Sequence, residues 1–134
     1  MKLHKSARRS GSSAVELAIT LPLLTFVFAI GVDFTRIFYY SQIVENSARN
    51  GAIYASDPKA PAANLYSSIS QAALADAADL SPAPTITSAS GTDAAGNATI
   101  AVTSTWSFGS IMNYAGVPKT VSLSRTVTMR VAPQ

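Results

Sequence analysis

The chain has 134 residues, 48% of them apolar and only 13% charged, where a soluble domain usually carries about 25% charged residues. That is room for one domain, and the charge deficit points to a membrane segment joined to a Ser/Thr/Ala-rich body. There is no cysteine and His4 is the only histidine, which excludes a disulfide framework, a thiolate metal site and, in the chain beyond His4, any Ser–His or Cys–His couple.

The net charge of +3 is segregated. Lys2, Lys5, Arg8 and Arg9 all precede Gly11, with no acid among them. From Ser12 onward six Lys/Arg stand against seven Asp/Glu, a net of −1. Basicity confined to ten residues beside an apolar stretch is a topogenic signal. Nucleic-acid binding would need a basic face on the folded body, so no nucleic-acid partner is expected.

The stretch Leu17–Val32 (LAITLPLLTFVFAIGV) holds no charge, and Glu16 and Asp33 bracket it. Sixteen residues fall short of the roughly 20 that span a bilayer as a helix. Flanking apolar residues extend the segment to about 14–38, leaving Glu16, Asp33 and Arg36 near its edges, where charge costs less than at the centre. Pro22 lies inside and removes one helix hydrogen bond, which predicts a kink there. The preceding basic residues put the N-terminus in the cytoplasm and the body outside, in a periplasm. The bulky, charged Asp33–Tyr40 that follows offers no signal-peptidase site.

In front of the apolar run stands Arg8-Arg9-Ser10-Gly11-Ser12-Ser13-Ala14-Val15-Glu16. It resembles the processing site of type IV pilin-like proteins, in which a membrane aspartyl peptidase cuts after the glycine and an acid is the fifth mature residue. A cut between Gly11 and Ser12 would leave Ser12 with a free amine, and Glu16 lies one helical turn further on. An acid in the first turn also complements the helix dipole. The plainer role for Glu16 is as an interfacial cap on a membrane helix.

No proline occurs between Pro22 and Pro58, so residues 12–57 are predicted as one helix, on the order of 65–70 Å long. Its outer half repeats Phe34, Ile37, Phe38, Ser41, Val44, Ala48, Ala52 and Ala55 at three- and four-residue steps. With Gly51 beside them, Ala48, Ala52 and Ala55 form a small-residue stripe that lets another element approach closely. Two uses compete for it: packing on the chain's own C-terminal body, or docking a partner helix. Asp57-Pro58 ends the helix.

The segments Gly11–Ala18, Leu21–Leu24, Asp33–Arg36 and Asn46–Ala55 together resemble the N-terminal half of TadE-like proteins, minor pseudopilins of tight-adherence (Flp-type) pilus systems. The resemblance is dense over Arg8–Ser56 and concerns only layout beyond Asp57. It implies cleavage by a prepilin peptidase, residence in the bacterial inner membrane or the pilus, and a structural role. The implied partners are the membrane, the peptidase, other pilin or pseudopilin subunits and the pilus assembly platform. No cofactor and no small-molecule substrate are implied. The alternative function is an uncleaved, signal-anchored periplasmic binding module unrelated to pili.

The remainder, 58–134, is expected to form the periplasmic body. A second helix is predicted from about Pro61 to Leu80, with a thin apolar face of Leu65, Ile69, Ala72, Ala73 and Leu80, then a stiff Ser81-Pro82-Ala83-Pro84 connector. After that the period drops to two. Thr85–Ser90 is a short strand and 91–97 a turn. Thr99–Phe108 places Ile100, Val102, Trp106 and Phe108 inward, and Thr120–Val131 does so with Val121, Leu123, Val127, Met129 and Val131. Arg125 interrupts that last row, either to pair with an acid on the helix or because its strand is an edge. Ile111, Met112, Tyr114 and Val117 make loop 109–118 apolar, either as a contact patch or as a plug at the end of the sheet. The predicted class is α+β and pilin-like: a long transmembrane-to-periplasm helix, a second helix and a small three-stranded antiparallel sheet.

Overall fold

A computed structural model describes residues 11–63, 66–111 and 118–133. Helix α1 runs Ser12–Ser56, α2 Ala60–Ala63 and α3 Ile69–Leu74, the last continued by a 3-10 turn at Ala75–Ala77. Strands β1 (Thr85–Thr92), β2 (Ala98–Gly109) and β3 (Thr120–Arg130) form one antiparallel sheet in the order β1-β2-β3. The class is the α+β arrangement that the change of period predicts. The leader at 1–10 lies outside the described residues, as do Leu65, Met112, Tyr114 and Val117.

The sheet lies against the outer half of α1 and nowhere on its first twenty residues. Val102, Ser104, Trp106 and Phe108 of β2 are buried beneath it, and Leu123 of β3 joins them. The register aligns these rows: Val102 opposes Val127, Trp106 opposes Leu123 and Phe108 opposes Val121. Val44, Ala77, Leu80, Trp106, Phe108 and Leu123 make up one core cluster. The indole N–H of Trp106 is satisfied by the carbonyl of Pro82 at 2.8 Å, as a buried tryptophan requires. On the opposite face the hydroxyls of Thr103 and Thr126 meet at 2.7 Å, and those of Thr105 and Ser124 at 3.1 Å. Such cross-strand pairs stabilise a sheet face open to solvent.

Two expectations need correction. The single helix from about Pro61 to Leu80 is instead α2, α3 and the 3-10 turn. Ser68 adopts extended backbone (φ −153, ψ 159) and its hydroxyl accepts the N–H of Gln71, capping α3. The Gln71 side-chain oxygen in turn accepts the N–H of Ser67 at 2.7 Å. The serine pair therefore starts a new helix, and a thin alanine face is too little apolar surface to hold one long helix together.

The second correction concerns the α1 stripe. Phe34 and Phe38 are 72% and 63% exposed. Asp33, Ser41, Val44, Ser47, Ala48, Gly51, Ala52 and Tyr54 are the buried positions, and Ile37, Tyr40 and Ile43 pack on the core from its edge. Each misplaced phenylalanine follows a sheet-facing residue by one position, which turns it about 100° away from the sheet. Asp33 and Ser47 enter the buried row despite their polarity because the sheet and its loop supply donors and acceptors for them.

Candidate membrane–head junction

No residue in the first twenty of α1 is buried. Its 18-residue window apolar enough to cross a membrane has none of its residues buried. Leu17, Ile19, Leu23 and Phe28 are each more than 60% exposed. Such large apolar surface on every side of a helix suits a lipid environment and not water. The helix is a candidate membrane anchor. Helical backbone continues through Pro22. The hydroxyls of Thr20, Thr25 and Thr35 donate to the carbonyls of Glu16, Leu21 and Gly31, each one turn earlier. Threonine can thus sit in an apolar helix without an unsatisfied O–H.

At the start of α1 the Gly11 carbonyl accepts the N–H of Val15 at 3.3 Å, which makes Gly11 the N-cap. Nothing lies within 4 Å of where a Cβ on Gly11 would be. The Gly11–Ser12 bond is therefore at an exposed helix end. Glu16 is exposed one turn later, and among the described residues no hydrogen bond or ion pair reaches its carboxylate.

The junction between bare and packed helix is built around Asp33. It is 7% exposed, and a buried carboxylate needs donors. Among the described residues three reach it: the Ser110 hydroxyl at 2.6 Å from Oδ2, the Ile111 backbone N–H at 3.0 Å from Oδ2, and Arg36 Nη1 at 3.1 Å from Oδ1. Ser110 and Ile111 directly follow β2, so this carboxylate ties the far end of the central strand back to the helix. The Arg36 guanidinium is covered in turn. Its carbon lies 5.0 Å from the Phe108 ring centroid and 6.0 Å from that of Tyr40, within cation–π range. Tyr40 also packs on Trp106, with ring centroids 4.9 Å apart. A carboxylate, a guanidinium and three aromatic rings thus form one closed contact where the head meets the bare helix.

Further along, α1 turns to small residues. Ala48 and Ala52 are fully buried, Gly51 is buried and Ala55 is half-buried. A Cβ on Gly51 would lie 3.0 Å from Val102 Cγ1 and 3.1 Å from Ala73 Cβ. The stripe is therefore filled by the chain's own sheet and α3. Ser104 donates to Ser47 at 3.3 Å in the same interface. Arg125 meets the Ser41 hydroxyl at 2.5 Å instead of an acid, from the edge strand β3.

The structure brings Asp33 and Arg36 together and separates both from Glu16, Pro22 and the alanine stripe along the helix. Sequence reasoning missed Ser110, Tyr40 and Phe108 as parts of the junction. The available signal was Asp33 itself, since an acid in the sheet-facing row of the helix demands a donor from the body, and a serine at the end of a strand is a natural source. At the distal hairpin Asp93 accepts the N–H groups of Ala95 and Asn97 and an Arg130 contact at 2.6 Å. Hydrogen bonds from Asn97 hold its carboxyl below its ordinary value of 3.8. Among the described residues no cluster of acids or histidines could hold a metal ion.

Residues 11–52, about a third of the chain, match the family model of TadE-like proteins, a likeness to components of tight-adherence pilus systems. The match runs from the helix start through the Asp33–Arg36 junction to Ala52 and leaves out the whole sheet. No curated protein and no solved structure matches the chain.

Proposed function

On the premise that residues 11–52 are TadE-like, we propose that this chain is a minor pilin-like (pseudopilin) subunit that helps assemble a Flp-type tight-adherence pilus. A prepilin peptidase cuts between Gly11 and Ser12. Helix α1 holds the mature subunit in the bacterial inner membrane, with its N-terminus cytoplasmic and its head periplasmic. Other pilin or pseudopilin subunits and the assembly platform are its partners. The observation that carries this reading is the division of one unbroken helix, TadE-like over most of its length, into an apolar half with no buried residue and a half packed on its own head. A subunit that passes from bilayer to filament needs such a helix, because other helices can replace lipid around the bare half without disturbing the head. The leader charges favour the orientation. Glu16, at the edge of the apolar run, finds a counter-charge in the Ser12 amine of its own or a neighbouring chain, which offsets the cost of a carboxylate there.

The test combines processing with assembly. Intact mass of the membrane-extracted protein should lack residues 1–11, and Gly11→Leu should accumulate uncut. Glu16→Gln keeps the shape and removes the charge; it should insert at normal level yet fail to restore pili in a complementation assay. Retention of residues 1–11 in a host with active peptidase would instead favour the uncleaved, anchored binding module. Normal piliation with the Gln variant would remove the assembly role of the charge.

A further inference from the structure

We infer that the end of the head nearest the bare half of α1 is a lipid-contacting surface, formed by Phe34, Phe38, Tyr39 and Ile111, which seats the head in the bilayer interface. The inference deepens the anchored reading above and rests on it.

Length gives the first argument. The uncharged run Leu17–Val32 spans only about 24 Å as a helix, short of the roughly 30 Å hydrocarbon core. Continuing through Tyr39 brings it to about 34 Å. The apolar surface therefore has to extend past the first charged residues.

Exposure gives the second. Phe34, Phe38, Tyr39 and Ile111 are 72%, 63%, 62% and 62% exposed. At 3.6 residues per turn, Phe34 and Phe38 project from one flank of the helix and Tyr39 from another, about 100° beyond Phe38. A partner helix would cover one stripe. A collar of large apolar groups around the helix is what an aromatic belt at a membrane surface presents. Above Tyr40 the outward positions turn polar, with Gln42, Asn46 and Arg49 exposed. The apolar-to-polar boundary thus falls between Tyr39 and Gln42, about two turns above Asp33.

Charge gives the third. Asp33 and Arg36 lie within the proposed interface, where unpaired charges would oppose seating. They are turned to the sheet and joined at 3.1 Å. The carboxylate takes its other bonds from Ser110 and Ile111, and the guanidinium lies against Phe108. The same bonds that neutralise this pair hold Ile111 beside the helix, at the level of the collar. Charge removal and placement of the head's apolar tip are therefore one arrangement.

The chain has no cysteine, so single cysteines can be labelled with an environment-sensitive NBD fluorophore in the full chain. The labelled proteins are reconstituted into phosphatidylcholine/phosphatidylglycerol vesicles, with doxyl-lipid as membrane quencher and iodide as aqueous quencher. Val27→Cys reports the bilayer interior and Ala94→Cys, in the distal hairpin, reports water. Phe38→Cys and Ile111→Cys report the collar. We expect blue-shifted emission and quenching by shallow doxyl-lipid at both collar sites, as at Val27 with a deep doxyl group, and neither at Ala94. If Val27 is quenched by lipid while both collar sites respond only to iodide, the collar is not seated, although the anchor stands. Collar sites shielded from both quenchers would be covered by protein, which also overturns the inference. Lack of lipid quenching at Val27 itself would defeat the anchored reading, and this inference with it. Asp33→Asn supplies the linked test: the Ile111 label should lose lipid quenching while the Phe38 label keeps it, and an unchanged Ile111 signal would show that the clasp does not set the position of the tip.

Discussion

The two halves of α1 follow opposite rules of composition. Residues 12–32 present leucine, isoleucine and phenylalanine on every side and none of them is buried, whereas residues 33–56 bury Asp, Ser, Ala and Gly beneath a sheet. In a water-soluble helix the large apolar side chains would face the core and the small polar ones would face out. Here the large side chains form the candidate membrane anchor, and the small ones let the sheet come close enough for Trp106, Phe108 and Leu123 to supply the bulk. Size of side chain on this helix therefore marks the medium, not the depth of burial. A substitution should have very different consequences on either side of Asp33.

The largest effect is expected in the head. Phe108 is fully buried and touches both the core cluster and the Arg36–Tyr40 contact. Phe108→Ala should destabilise the head by about 3–5 kcal/mol, read as a lower unfolding midpoint by near-ultraviolet circular dichroism of the full chain in detergent. An unchanged midpoint would mean that this junction is not part of the cooperative head. Next comes Gly51→Leu. Leucine is the better helix former by nearly 1 kcal/mol, but even a Cβ at this position is tight against Val102 and Ala73. Overpacking of this sort costs about 1–3 kcal/mol, so the same melt should show a net loss of stability. A gain would show that the sheet can retreat from the helix and that the close approach is not required.

Much of this could be read from the chain alone, and the parts that could not share a cause. The length of α1 follows from the absence of proline between Pro22 and Pro58, and the inward rows of β2 and β3 follow from strict alternation. What failed was the fine choice among positions that fit a helical stripe. Phe34 and Phe38 fit one as well as Asp33 and Ser47 do, and hydrophobicity ranks them higher. The buried row is decided by where Ser110, Arg125 and Ser104 come to lie, which are contacts 57 to 84 residues away in sequence. Likewise, the Ser67-Ser68 pair falls inside the stretch expected as one helix, and its hydrogen bonds with Gln71 are what divide that stretch. Of the junction, Asp33 and Arg36 were legible as charges at the edge of an apolar run, while the Ser110 and Ile111 donors to Asp33 and the Phe108 ring beside Arg36 depended on the sheet. The assembly role proposed for Glu16 is legible only through family resemblance, since among the described residues none meets its carboxylate.

A smaller effect is expected at the β1–β2 hairpin, at the end of the sheet opposite Asp33. The Asp93 carboxyl is held below 3.8 mainly by hydrogen bonds from Asn97, with Arg130 contributing. A depressed folded value means that this contribution is complete above 3.8 and is lost as pH falls through the lower, folded value. Arg130 is 62% exposed, so the ion pair itself adds little. Asp93→Asn can still accept the turn's N–H groups but does not titrate. The difference in melting midpoint between the parent and this variant should therefore be constant above 3.8 and shrink below it. A difference that widened on acidification would reverse the assignment.

The smallest effect is the sharpest check of the contrast between the two halves. Leu24 is 63% exposed and lies wholly within the bare half of α1. Truncating a leucine in a packed core leaves a cavity and costs about 2–5 kcal/mol. Around Leu24 no protein atoms are left behind to line a cavity, because lipid or detergent tails fill the space. Leu24→Ala should therefore leave the head's unfolding midpoint within about 0.5 kcal/mol of the parent, measured in the same detergent and by the same Trp106 signal as Phe108→Ala. The remaining apolar residues still provide a span, so membrane recovery should not change either. A loss comparable to that of Phe108→Ala would mean that the lower helix is packed on something in the isolated subunit, and the division of α1 at Asp33 would have to be abandoned. A silent Leu24→Ala beside a strongly destabilised Phe108→Ala would establish that the head is stabilised without help from the anchor, as a subunit that exchanges lipid for protein neighbours requires.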